Sequence, residues 1–413
     1  MIQLGLFRIF GMAHSHVMDS SKQKVALLHV INPDKTLRGP DFFFALFYKE
    51  YLKYEASKYD LYFVLKTNSK TKLIQLFEEW KIPTEKLIIL ENHNNRLKGI
   101  LEWWDFFKVA RKWRFAAWLV CTFRSPEEQL FQLSTLRGLT KMQGSKMIFA
   151  ITYALLPQAF EERTKYGFYE RDRWKYGILF KKIQFDAFYS WYQNFEEWTH
   201  RSPMFSYGPY VQVLQSRFCD IEKFKPSEKK KWIVFASALE SYKHPMTVVN
   251  AAIQLHAEHP QLMKEWKFYL IGNGTMKDEI IQKIQDHQLE NFVEVVTGVR
   301  DISPIINQSM CFVSGQEEEN FPSLAMNECM AAGNAIIARN VGRTHLFVHH
   351  EKNGFLVDPA GERAVEEGIK RFVLMDSQEQ QALGAYSRWM CENIHTPLHF
   401  IQQTEELWDK MIG

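Results

Sequence analysis

The sequence predicts an α/β protein made of two doubly wound parallel sheets, each with its own core. Three observations carry this expectation. At 413 residues the chain is long enough for two domains. Apolar runs of strand length alternate with amphipathic stretches of helical length through its first third, the pattern of a sheet covered on both faces. The second half repeats the alternation with five strand-like runs, WIVFASAL, KFYLIGNG, FVEVVTG, SMCFVSG and NAIIAR.

Composition narrows the class. A formal net charge of +3 makes no electrostatic case for nucleic acid. The five cysteines, Cys121, Cys219, Cys311, Cys329 and Cys391, are widely spaced with no CxxC, so neither a disulfide frame nor a zinc site is indicated and a reducing cytoplasm is expected. The opening apolar run is too short for a signal peptide, and no transmembrane span follows. Residues 1–22 read as a disordered or spurious tail, with Met12 or Met18 as alternative starts. His14 and His16 within it carry no metal assignment.

In order, KVALLHVI reads as a buried first strand, followed by a loop holding Arg38, Gly39 and Pro40. A helix through FFFALFYKEYLKYEASK comes next, then the strand YDLYFVLKT, the helix TKLIQLFEEW and, after Pro83, the strand KLIILE. Asn94 to Val120 reads as one long helix. It places Trp103, Phe106, Ala110, Trp113 and Ala117 on one face, with Lys108, Arg111 and Lys112 opposite. That helix either packs on the sheet or lies on anionic lipid. KMIFAITYALL supplies another strand, and Phe160 to His200 reads as charged, aromatic, helical sequence. A strand ending near Gln215 leads to Pro226 and the solvated lysines Lys229 to Lys231, which mark a crossing between domains.

In the second half the helices are PMTVVNAAIQLHAEH, MKDEIIQKIQDHQ and GERAVEEGIKRFVLM, with a closing amphipathic stretch FIQQTEELWDKMI after Pro397. No GxGxxG follows the first strand, which disfavours nicotinamide binding. Gly272, Gly274 and Gly298 permit sharp turns after the second and third strands. The most informative stretch is SGQEEENFPSLAMNECMAAGNAIIARNVG. Asn320 can cap a helix with Pro322 in its first turn, and Gly333 suits the left-handed position after its end. A helix start at the carboxyl ends of parallel strands favours an anion, and carboxylates beside it suit a ligand that also carries hydroxyls. Glu317, Glu318, Glu319 and Glu328 therefore read either as part of a nucleotide-sugar site or as a solvated loop and an exposed helix residue.

The run ENFPSLAMNECMAAG resembles the signature of retaining GT-B glycosyltransferases, glycosyltransferase family 4, in which a glutamate, seven residues and a second glutamate precede a small-residue helix end. Here the spacing is one residue longer: Glu328 matches the second glutamate, and Glu319 matches the first only with a shift. SRFCDIEKFKP resembles the family's linker through Asp220, Phe224 and Pro226. In ALESYKHP, Lys243 matches the lysine of the loop that neutralises the donor diphosphate, while Ala238 stands at the arginine position. Arg343 and His345 stand where the family has a glycine and a glutamate. Tyr153 stands where many members carry a histidine, and no further histidine occurs before His200.

The resemblance implies a GT-B fold of two Rossmann-like domains facing across a cleft. Residues 23–215 would bind the acceptor, 216–230 would link, 231–395 would bind the nucleotide-sugar, and 396–413 would cross back. It implies a metal-independent hexosyltransferase without a cofactor, acting in cell-surface polysaccharide or glycolipid assembly. The donor is a nucleotide-sugar and the acceptor a sugar or lipid-linked hydroxyl, reached in the cytoplasm or at the inner face of the membrane. Lys243, Glu319 and Glu328 would be catalytic. Gly272, Gly274, Gly298, Asn320, Phe321, Pro322, Ser323, Leu324, Arg38 and Gly39 would contact the donor. A nucleotide-sugar 2-epimerase and a non-catalytic nucleotide-sugar-binding relative are the alternatives.

Overall fold

The computed structural model describes residues 21–30, 39–66, 71–90, 98–121, 126–151, 180–201, 205–299, 301–317 and 323–413. Seven strands form one sheet: β1 (Gln23–Val30), β2 (Tyr59–Lys66), β3 (Leu87–Leu90), β4 (Ala117–Val120), β5 (Lys146–Ile151), β6 (Ala187–Ser190) and β7 (Tyr210–Val213), in the order β3-β2-β1-β4-β5-β6-β7. Six form another: β8 (Trp232–Ala236), β9 (Lys267–Ile271), β10 (Val293–Val296), β11 (Cys311–Ser314), β12 (Ala335–Arg339) and β13 (Gly354–Val357), in the order β10-β9-β8-β11-β12-β13. Both orders double back beside their first strand, as in doubly wound folds. By compactness the chain divides into two units. One is Met1–Ala150, Arg171–Phe188 and Glu405–Gly413, and the other is Ile151–Glu170 and Tyr189–Thr404.

In the first unit β1 lies between β2 and β4, with Val25 paired to Leu61 on one side and Ala117 on the other. A central strand covered on both faces is apolar at every position, and Val25, Ala26, Leu27 and Leu28 are all fully buried. Helix α1 (Gly39–Leu52) buries Phe43 through Tyr48 without a break, as a helix apolar on all sides must. It begins at Gly39 with Pro40 in its first turn, so these two residues, read above as loop, start the helix; Arg38 lies outside the described residues. α2 (Lys72–Glu79) is capped by Thr71, whose side chain accepts from Ile74 N. Near the end of the chain, Tyr51 and Ser57 donate to Glu405 Oε1 at 2.7 and 2.6 Å. Trp408, fully buried, meets Tyr51 and Tyr59 edge-on.

The long helix expected from Asn94 to Val120 is shorter. α3 spans Lys98–Trp113, Arg114 takes a left-handed conformation (φ 47°) that ends it, and Ala117–Val120 become β4. A four-residue apolar run carries no period that separates strand from helix, which is why AWLV escaped. Phe106 and Ala110 are buried as expected, and Lys108, Arg111 and Lys112 are exposed. Ile100 and Trp104 are exposed too. α4 spans Pro126–Gln143. The strand AFYS (β6) emerges from sequence read as helical.

The second unit also contains α5 (Gln193–Arg201), α6 (Met246–Glu258), α7 (Lys277–Asp286), α8 (Leu324–Ala331), α9 (Ala364–Leu374), α10 (Ser377–Asn393) and the first half of α11 (Pro397–Ile412). Its main core follows from the two-residue period of the strands. Ile233 and Phe235 of β8, Phe268 and Leu270 of β9, and Cys311 and Val313 of β11 pack against Val248, Leu255, Ile280 and Ile369 from α6, α7 and α9. α8 packs on α10, and α10 on β12. β13 and α10 were not anticipated, although Asp376 with Glu379 three residues on is a start signal. The Asp376 carboxylate accepts from Gln378 N and Glu379 N. No helix among the described residues is long and apolar enough to cross a membrane.

Candidate active site

The carboxyl edge of the six-stranded sheet gathers the loops that follow β8, β9, β10 and β11. Strand order reverses between β8 and β11, and the crevice at such a reversal is where ligands sit in open α/β sheets. Lys243 ends a 3-10 turn (Ser241–Lys243) after β8. Gln316 lies in the loop after β11 and is buried. The Lys243 Nζ donates to Gln316 Oε1 at 2.6 Å, so one hydrogen bond spans the reversal. The loops approach closely because Gly315 has no side chain: a Cβ there would stand 3.0 Å from His244 Cβ and 3.1 Å from Thr247 Oγ1.

His244 follows in a left-handed conformation (φ 53°), unusual for a residue other than glycine, and its Nε2 is 3.6 Å from Glu317 Oε1. Arg339, at the end of β12, stiffens the same loop. Its Nε donates to Gly315 O, and its Nη1 donates to the carbonyls of Asp358, Pro359 and Gly361. A cavity of about 400 Å³ abuts this loop, lined by Ser241, His244, Glu317 and Arg339 among others. A larger one, about 520 Å³, lies among α6, α7 and the start of α9 and shares Asn250, Glu362 and Glu366 with the first.

Gly272 and Gly274, after β9, have a packing role. A Cβ at Gly272 would lie 1.9 Å from Ser237 O, and one at Gly274 2.2 Å from Leu239 O. The loop after β9 thus lies directly on the loop after β8, the one that carries Lys243. Gly298, after β10, adopts φ +72° with open space around it.

Helix α8 begins differently from expectation. Ser323, not Asn320, is its cap: the Ser323 side chain accepts from Met326 N at 3.1 Å. Leu324 is the first helical residue. Glu318, Glu319, Asn320, Phe321 and Pro322 lie outside the described residues. The helix ends as expected, with Gly333 at φ +73° packed against Pro226. The predicted linker residues Asp220 and Phe224 form a turn, with Phe224 N bonded to Asp220 O and Asp220 Oδ1 accepting from Glu222 N and Lys223 N.

Glu328 is 8% exposed, and no hydrogen bond to its carboxylate is found among the described residues. Burial pushes its pKa up to about 8; Lys223 and Arg217 pull it back, and Asp301 and Asp220 push it further. Desolvation of a mostly buried carboxylate disfavours its charged form. The residues that sequence reading missed are Gln316, which has no charge to mark it, and Arg339, which stood at the end of a run read only as a buried strand. Arg343, whose direction the sequence left open, donates to Leu214 O at 2.5 Å and to Gln215 Oε1 at 2.8 Å.

Comparison with known proteins bears on the fold and on the family match of the second half. Residues 217–390 match the family model described as "Glycosyl transferases group 1". The GtfA subunit of the UDP-N-acetylglucosamine–peptide N-acetylglucosaminyltransferase of Streptococcus gordonii is 23% identical over 228 residues, 53% of this chain and 42% of that protein. The chain spans less than half the length of the curated relatives it matches. Among solved structures, Anabaena HepE in complex with UDP and glucose superposes with a TM-score of 0.68 at 15% identity, over 94% of this chain and 100% of that one. Sucrose-phosphate synthase from Thermosynechococcus elongatus superposes with a TM-score of 0.69 at 14% identity, over 94% and 99%. The chain has the GT-B fold, and over residues 217–390 it matches the group 1 glycosyl transferases.

Proposed function

We propose that the chain is a retaining, metal-independent glycosyltransferase that moves a hexosyl unit from a nucleotide-sugar to an acceptor hydroxyl. The observation that carries this reading is the Lys243–Gln316 hydrogen bond across the strand reversal, in the same unit as the mostly buried Glu328 carboxylate, which meets no hydrogen-bond donor among the described residues. In the reaction the bond from the sugar C1 to the diphosphate oxygen breaks and a bond from C1 to the acceptor oxygen forms on the same face. The acceptor's proton passes to the departing phosphate. The Lys243 ammonium and the N–H groups at the start of α8 meet the charge that develops on the diphosphate. Glu328 accepts from the ribose hydroxyls, and Glu319 orients the donor sugar. No cofactor takes part.

The UDP bound in similar structures makes it the first nucleotide to try. On α3, exposed Ile100 and Trp104 beside Lys108, Arg111 and Lys112 support peripheral docking on anionic lipid. A lipid-linked or polysaccharide acceptor at the inner face of the membrane fits such docking.

A thermal-shift screen of the full chain against UDP-, GDP- and ADP-sugars tests the donor assignment. A Tm rise with one nucleotide series, lost in Glu328→Ala, supports it. No shift with any of them rejects it. Binding followed by release of free epimerised sugar would favour epimerisation, and binding without turnover across an acceptor panel would favour a non-catalytic relative.

A further inference from the structure

Each carbonyl from Glu328 to Ala332, at the end of α8, accepts a hydrogen bond. Backbone N–H groups reach the first three: Ala332 N donates to Glu328 O at 3.0 Å, Asn334 N to Cys329 O at 3.0 Å and Gly333 N to Met330 O at 2.9 Å. Side chains from distant parts of the chain take the next two. Arg388 of α10 donates to Ala331 O at 2.8 Å, and Lys229 donates to Ala332 O at 2.6 Å. Cations suit this place, because the C-terminal end of a helix carries partial negative charge.

Lys229, expected on a solvated linker face, is half-buried and directs its ammonium into this one corner. Its Nζ also donates to Ser309 O at 2.6 Å, just before β11, and to Asn334 Oδ1 at 2.7 Å. Asn334 is fully buried and donates through Nδ2 to Ile306 O at 3.1 Å. The three acceptors of the ammonium are all neutral. Burial lowers its pKa to about 8, which leaves it a cation at neutral pH. Such a lysine locks the end of α8 against the start of β11.

The hydrogen bonds run on to Glu328. Ala332, held through its carbonyl by the ammonium, holds Glu328 O through its own N–H. α8 is eight residues long, a stiff rod of about 12 Å, so a shift of its last turn carries the Glu328 carboxylate with it. We propose that Lys229 is a positioning residue for the donor site: its ammonium fixes the last turn of α8 and so aims the Glu328 carboxylate at the ribose hydroxyls. The inference rests on the donor-site reading above and adds to it the group that holds the carboxylate in place. Lys229 acts through the helix and does not touch the ligand.

The test is a double-mutant cycle on UDP affinity, read by calorimetric titration of the full chain at pH 7, well below the Tm of every variant. Its corners are wild type, Lys229→Met, Glu328→Ala and the double variant. Lys229→Met keeps the apolar stem and removes the ammonium. It should weaken UDP about tenfold, since a displacement of about 1 Å can cost about a hundredfold. In the Glu328→Ala background the same change should cost less than about twofold, because the group being aimed is gone. Equal losses in both backgrounds, or wild-type affinity in Lys229→Met, would make Lys229 merely structural and overturn the proposal. Should Lys229→Met not fold, Lys229→Gln, which keeps a donor without the charge, takes its place in the cycle.

Wild type failing to bind UDP, GDP or ADP would reject the donor reading itself. The clamp is then judged without nucleotide, by amide hydrogen exchange. Exchange in peptides covering 324–334 should rise about tenfold in Lys229→Met while that of α9 keeps the wild-type rate. No rise there, or a rise shared by α9, would overturn the clamp.

Discussion

Replacing Glu328 by glutamine should stabilise the unligated chain, by an amount that grows with pH. The folded-state pKa of about 8 stands against 4.5 for the free side chain. Between those values the folded protein holds a proton that the unfolded chain has released, so stability falls as pH rises. The contribution is fully present below pH 4.5 and is lost as pH rises through 8. At about 1.4 kcal/mol per unit, wild type forfeits about 3 kcal/mol by pH 7 and approaches about 5 kcal/mol above pH 8. For a unit of this size the pH 7 figure corresponds to roughly 6 to 12 °C in Tm. Glutamine has no such titration, so any fixed effect of the amide moves its whole curve without changing the slope. Tm measured from pH 5 to pH 8 for both proteins should show a gap that widens steadily. Parallel curves would refute the argument, because a carboxylate without a buried-state penalty cannot be waiting for a ligand's hydroxyls.

Three further outcomes follow from named contacts. Lys243→Ala removes the ammonium that Gln316 orients, and should cut turnover about a hundredfold or more while leaving stability within about 1 kcal/mol of wild type; sugar transfer and thermal melts measure both. Gly274→Ala would drive a methyl group to 2.2 Å from Leu239 O, so a backbone shift costing about 2 kcal/mol or more should appear as a lower urea midpoint. His395 is buried against Phe347, with ring centroids 3.9 Å apart, and burial lowers its pKa to about 3 from 6.5. Its neutral form supports the fold above pH 6.5, and that support is lost as pH falls toward 3. His395→Phe should therefore resist acid, retaining about 3 kcal/mol that wild type loses between pH 7 and pH 4.5, as read from urea midpoints.

The helices that read correctly from sequence share one property, a period long enough to count. Met246–Glu258, Lys277–Asp286 and Ala364–Leu374 fall inside the stretches expected as helices, and the strand run NAIIAR is β12. The short strands LIIL, VEVV and CFVS read correctly as separate apolar runs, whereas AWLV and AFYS were absorbed into longer stretches read as helical, where four apolar residues look the same in a buried helix and a buried strand. The start of α8 was placed too early for a related reason. Asn320 and Ser323 are both good caps by residue type, and the helix takes Ser323.

The site shows the same division. The resemblance to a family signature singles out Lys243 and Glu328 for a diphosphate and a ribose, and residue type marks the glycines at 272, 274 and 298 as turns. That Gln316 holds Lys243 and that two of those glycines let one loop lie on another depends on residues brought together from distant parts of the sequence. Spacing and composition determine the alternation of strand and helix, since each is a local property of the chain. The charge state of Glu328 is not local: it is set by how much water the folded unit leaves around one carboxylate, and only the packing of α8 against its neighbours decides that.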